Sequence, residues 1–211
     1  MKLSHLLLNL PRFSRESLLL RHLIPLWHDS RFQLDVSGHL RLIEGLFLFD
    51  QALRVPPGGT VVEIGSYLGR STTFIAAALA RIAGFPKVHA VDTFTGIGVP
   101  GEDGRSTLLA FQVNTAPYRD LIVIHQAYAH EIAEFWKYPI DMLFIDGDHS
   151  FEGCSQDIMA WVRHLSKGGL VCFHDYTNSP DVRRAVDTHF RPWVSKGSMG
   201  INGSMFYGRK L

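Results

Sequence analysis

Cysteine is scarce in this chain. Cys154 and Cys172 are the only two among 211 residues, and no CxxC pair or zinc-type spacing occurs. A disulfide scaffold and a structural zinc cluster are therefore excluded, and a reducing, cytoplasmic setting is expected. Long apolar runs are missing too: nothing reaches eighteen residues, so no membrane-spanning helix is expected. Neither sign of charge dominates, with 21 Lys and Arg against 20 Asp and Glu. A net charge of +1 supplies no field to gather nucleic acid or an anionic membrane, and neither is expected as a partner. The leucines at 6–8 follow Lys2, but that apolar stretch is short and Pro11-Arg12 stands where a signal peptide would place small residues.

Two further absences are informative once the stretch 60–80, TVVEIGSYLGRSTTFIAAALA, is considered. A β-branched run at 60–64 reads as a strand buried on both faces. Gly65 and Gly69 bracket a sharp turn, and an alanine-rich helix follows, with Ser71 and Thr72 as expected caps. This is the ligand-binding corner of a doubly wound α/β sheet. A dinucleotide fingerprint needs glycine at 65, 67 and 70, yet Tyr67 and Arg70 occupy two of those places. The Gly-Lys-Ser/Thr of a phosphate loop is absent as well. An acid, Glu63, stands two residues before the first glycine instead. That combination favours a ligand with positive groups and no phosphate, and S-adenosylmethionine, with its ammonium and sulfonium, satisfies it.

Strand and helix patterns alternate through the rest of the chain, which predicts a mostly parallel, seven-stranded Rossmann-like sheet with helices on both faces. Strands are expected at 88–92, 121–125, 141–146 and 169–175, with helices near 106–115, 129–136, 153–165 and 180–190. Two closing strands are expected at 193–194 and 204–207. Residues 1–57 read as an N-terminal helical extension, with amphipathic helices over 14–28 (Leu18, Leu19, Leu23, Ile24 and Trp27 apolar) and 40–53. These helices must pack on the main domain, 58–211, cover its mouth, or form a homodimer contact.

Ligands of such sheets bind outside the carboxyl ends of the strands. The residues expected there are Glu63, Asp92, His125 with Gln126, Asp146 with Asp148 and His149, and His174 with Asp175. Asp92 is placed to accept hydrogen bonds from ribose hydroxyls, and Gln126 to reach an adenine. Asp146 and Asp175 end neighbouring strands, so their carboxylates can share a divalent cation: Mg²⁺ or Ca²⁺ on oxygen ligands alone, Mn²⁺ or Fe²⁺ if His149 or His174 joins them. His149 is equally a candidate general base. A core histidine at 174 and a helix-capping role for Asp148 are the structural alternatives.

The segments VEIGSYLGRS (62–71), VDT (91–93), FIDGDHSFE (144–152), KGG (167–169) and FHDY (173–176) resemble class I S-adenosylmethionine-dependent methyltransferases of the methyltransferase family 24 type. These are similar to sugar O-methyltransferases of macrolide pathways and, more distantly, to catechol O-methyltransferase. The resemblance spans roughly residues 58–190. It implies that Gly65, Ser66, Tyr67, Gly69 and Ser71 surround the methionine part of the cofactor, that Asp92 holds the ribose, and that Asp146 lies beside the methyl group. It also implies a metal set of Asp146, His174 and Asp175, although metal-dependent relatives often carry two acids or Asp-Asn where this chain has His174-Asp175. The expected activity is methylation of a small-molecule hydroxyl. The alternatives are a cephalosporin-hydroxylase-like relative and a cofactor-binding partner protein without catalysis.

Overall fold

The computed structural model describes residues 24–96, 104–194 and 196–211. The predicted helix over 14–28 therefore falls largely outside the described residues, and only its end, α1 (Ile24–Trp27), is seen. In chain order there follow α2 (Leu42–Ala52), β1 (Thr60–Ile64), α3 (Arg70–Leu79), β2 (Lys87–Asp92), α4 (Leu108–Thr115), β3 (Ile122–Gln126) and α5 (Ala129–Phe135). The second half contains β4 (Ile140–Ile145), α6 (Phe151–Trp161), β5 (Leu165–Phe173), α7 (Pro180–His189), β6 (Gly200–Asn202) and β7 (Met205–Arg209).

The seven strands form one sheet in the order β3-β2-β1-β4-β5-β7-β6. The first five run parallel, and β7 enters antiparallel between β5 and β6. The order reverses at β1 and β4, so the crevice at their carboxyl ends is where a doubly wound sheet binds its ligand.

Alternation along the central strands sends consecutive side chains to opposite faces. Val61, Val88, Met142, Phe144, Leu170 and Cys172 build one core with Leu46, Leu48 and Phe49 of α2 and Phe74 and Ile75 of α3. Val62, Ile64, Leu143, Ile145, Val171 and Phe173 build the other with Ile158 and Trp161 of α6 and Ala185 and Val186 of α7. A third, small cluster joins Phe111 of α4 to Ala90 and Phe94. Burying apolar surface on both faces is what turns these strand sequences into nearly unbroken hydrophobic runs. Packing on the main sheet is the outcome for α2, whose Gly45 lies so close to the Phe74 ring that a Cβ there would sit 2.5 Å from it.

The tail differs from expectation. The closing hairpin uses 200–202 and 205–209 around Gly203 and Ser204, while Val194 forms only an isolated bridge to Lys210. The edge strand β6 is three residues long, too short to announce itself by alternation.

Candidate functional site

The turn after β1 is shaped by backbone needs. Gly65 has φ +80°, and a Cβ on it would lie 2.0 Å from the carbonyl oxygen of Asp146. The end of β4 thus presses on the turn at a point where only glycine passes. Gly69, φ +87°, is the N-cap of α3 and makes no side-chain cap. Ser71 and Thr72 are therefore not caps. The helix begins one residue earlier, at Arg70, so both hydroxyls fall inside its first turn and are directed at Glu63. Thr72 donates to Glu63 Oε2, Ser66 donates to the same oxygen at 2.8 Å, and Ser71 adds a further hydrogen bond to this carboxyl. Burial pushes the Glu63 carboxyl up to about 7 against the pull of these hydroxyls. Its second oxygen, Oε1, is buried with no hydrogen-bond partner. An unsatisfied buried acceptor beside a glycine turn suits a cationic ligand group, as the expected ammonium would be.

Asp92 ends β2 in register with Gln126 of β3. It accepts the Tyr67 backbone N–H at 2.8 Å and the Phe94 N–H at 2.6 Å, which fixes its carboxylate across the mouth of the turn. Each oxygen keeps acceptor capacity for a hydroxyl donor. Gln126 is exposed, its amide 3.5 Å from the Thr93 carbonyl. His125 is not brought to the site. Its Nε2 lies 2.9 Å from Nδ1 of His89, and both rings lie against Trp136.

The carboxyl ends of β4 and β5 carry the second half of the site. Asp146 Oδ1, His149 Nε2 and Asp175 Oδ2 converge, all within 4.8 Å of one another. His149 Nε2 is 3.5 Å from Asp146 and 3.6 Å from Asp175. The Asp146 hydrogen bond raises the His149 pKa against burial. Asp175 adopts φ +53°, and its carboxyl is held down to about 2, chiefly by its hydrogen bond to His174. Ser150, not Asp148, caps α6, accepting the Gly153 N–H; Asp148 instead accepts from the Ser150 N–H.

His174 is buried behind this corner and its ring meets three carboxylates. Nδ1 sits 3.2 Å from Asp146 Oδ1 and 3.1 Å from Asp175 Oδ2, and Nε2 sits 3.2 Å from Glu44 Oε2 of α2. Burial acts to lower its pKa, yet three carboxylates outweigh it and raise the value to about 12. His149 is the exposed imidazole of this corner and His174 the buried one.

Glu44, Ser204 and Arg70 escaped the sequence reading. Glu44 is fully buried and accepts the Ser204 backbone N–H and hydroxyl at 2.6 and 2.8 Å. Arg70 donates to the carbonyls of Leu40, Leu34 and Val36, tying the approach to α2 onto the start of α3. The signal for Glu44 was present: Leu40, Glu44, Leu48 and Ala52 fall at helical spacing on one buried stripe, and a lone charge there asks for a partner.

A family profile described as a methyltransferase domain matches residues 62–176. Among solved structures, CalS11, a TDP-rhamnose 3'-O-methyltransferase of calicheamicin biosynthesis, is 21% identical, with 98% of this chain and 90% of that chain covered at a TM-score of 0.59. The O-methyltransferase NovP is 18% identical, with 83% of each chain covered and a TM-score of 0.60. Identities this low speak for the fold. An uncharacterized protein of Acanthamoeba polyphaga mimivirus is 41% identical over 51 residues, 23% of either chain. The chain spans less than a quarter of the length of the curated relatives it matches.

Proposed function

Because the chain belongs to the class I S-adenosylmethionine-dependent methyltransferases of the family 24 type, we propose that it methylates a hydroxyl of a small molecule at the corner formed by Asp146, His149 and Asp175. The observation that carries this is the convergence of two carboxylate oxygens and one imidazole nitrogen directly against the Gly65 turn. S-adenosylmethionine supplies an electrophilic methyl group when bound. Glu63 and its hydroxyl cluster would take the ammonium, and Asp92 the ribose hydroxyls.

Asp146, His149 and Asp175 would hold a divalent cation, Mg²⁺ or Mn²⁺, which lowers the pKa of a bound hydroxyl. Mixed oxygen and nitrogen donors favour Mn²⁺ over Mg²⁺ here. The chain's own work is then to orient the acceptor oxygen, whose proton would leave to solvent at the half-exposed corner. Holding the two reacting atoms in line supplies several kcal/mol of such a barrier. A sugar hydroxyl is the acceptor class proposed, since CalS11 methylates one and shares this fold over nearly the whole chain. We place the enzyme in the cytoplasm. Among the described residues no helix is long and apolar enough to cross a membrane.

A second reading needs no cation. His149, half exposed and hydrogen-bonded to Asp146, would itself be the base. The two are separated by incubating enzyme and S-adenosylmethionine with a panel of nucleotide-linked sugars and catechols, with and without EDTA, and reading products by mass. Product gaining one methyl group and vanishing with EDTA supports the first; product insensitive to EDTA supports the second. Cofactor turnover on none of these acceptors contradicts the proposed acceptor class.

A further inference from the structure

Glu44 lies 130 residues from His174 in sequence, on a helix outside the strand–helix repeat that carries every other charged group of the corner. We infer that Glu44 is a positioning residue for the transfer site: it fixes the His174 ring, and through that ring the Asp146–Asp175 pair. The inference rests on the proposal that this pair borders the transfer site and holds the cation.

The geometry forms a relay. Glu44 Oε2 meets Nε2 of His174 at 3.2 Å, and Nδ1 on the other side of the ring meets both Asp146 Oδ1 and Asp175 Oδ2. The same ring therefore spaces the two carboxylates that face His149. Glu44 is itself held rigidly. Its Oε2 accepts the Arg41 N–H at 2.8 Å, and its Oε1 accepts two hydrogen bonds from Ser204. The β6–β7 turn is built to approach it: Gly203 has φ +61°, and a Cβ there would lie 2.3 Å from Glu44 Oε1. Groups that orient metal ligands from behind change affinity by roughly 10- to 100-fold when altered.

A purely structural Glu44, anchoring α2 to the β6–β7 turn, would give variants that lose stability without selectively disturbing the corner. The two roles are told apart with Mn²⁺ as the probe. Its binding is followed by electron paramagnetic resonance in the presence of S-adenosylhomocysteine, and S-adenosylhomocysteine binding is followed by calorimetry. Glu44→Gln is expected to weaken Mn²⁺ by about tenfold or more, to leave S-adenosylhomocysteine affinity within about twofold, and to add nothing in a His174→Gln background. Ser204→Ala, which removes a hydroxyl that donates to Glu44 and lies 3.4 Å from His174 Nε2, should move Mn²⁺ affinity in the same direction and serves if Glu44→Gln does not fold. Undiminished Mn²⁺ affinity, or effects of Glu44→Gln and His174→Gln that simply add, overturns the inference. Wild-type protein that binds no Mn²⁺ contradicts the cation proposal instead. Glu44 is then judged by crystal structures of Glu44→Gln: a displaced His174 ring and altered Asp146–Asp175 spacing support the inference, and an unmoved corner overturns it.

Discussion

His174 Nε2 lies 3.2 Å from Glu44 Oε2, so the helix preceding the first strand is joined by a buried charged hydrogen bond to the end of the fifth. That bond makes the N-terminal extension part of the site. It also holds the His174 ring inward while His149 stays half exposed. Breaking a buried pair by removing one partner costs about 3–5 kcal/mol. Glu44→Ala should therefore lower stability by about that amount in denaturant titration; a loss near zero would mean the pair does not form.

Asp175→Ala and Asp146→Ala should behave differently. Asp175 is expected on the acceptor side, so its loss should abolish Mg²⁺-stimulated turnover while S-adenosylhomocysteine still binds. Asp146 presses on the Gly65 turn through its backbone and is expected beside the methyl group, so its loss should harm both. Equal effects on cofactor binding would contradict this division.

Glu63 imposes a pH dependence. Its folded pKa, about 7, lies above the ordinary 4.5. The stability it contributes is thus fully present below about pH 4.5 and is lost as pH rises through about 7, a swing on the order of 3 kcal/mol. Glu63→Gln should flatten that part of the stability profile. A cationic ligand group favours the carboxylate, so S-adenosylhomocysteine should bind more tightly as pH rises through 7 and release a proton below it. Calorimetry in buffers of different ionisation enthalpy reads that proton; heats independent of buffer would contradict the contact.

His149 sets a second pH dependence, of opposite cause. Asp146 raises its pKa, so a proton would compete with a bound cation for Nε2. Mn²⁺ affinity should therefore climb with pH across the histidine range, and His149→Gln should remove the climb. A slope unchanged by that variant would take His149 out of the ligand set.

Arg70 binds three carbonyls of the segment 34–40. Arg70→Met should cost about 1–3 kcal/mol by leaving partly buried acceptors unpaired, and Arg70→Lys should recover little, since an ammonium lacks the guanidinium fork. Full recovery by lysine would contradict the account.

The sheet was legible because parallel strands buried on both faces announce themselves as apolar runs, and because Asp92 and Asp146 mark strand ends. Gly65 was legible as a tight turn, though not as the point where Asp146 presses. Arg70 was visible only as a missing glycine, since its three partners are carbonyls 30 to 36 residues away that no periodicity reports. The second partner of His174 was hidden for a related reason: Glu44 sits on a helix 130 residues away, which no local pattern reports. Ser204 closes that pocket from the short hairpin the sequence located only approximately.

The most direct test of the central claim is anomalous diffraction from a crystal grown with S-adenosylhomocysteine and Mn²⁺. The account predicts one manganese peak bounded by Asp146, His149 and Asp175, with the cofactor's amino group on Glu63 and its ribose on Asp92. Cofactor bound in that way with no peak at the corner, or with manganese coordinated by His174, would contradict it.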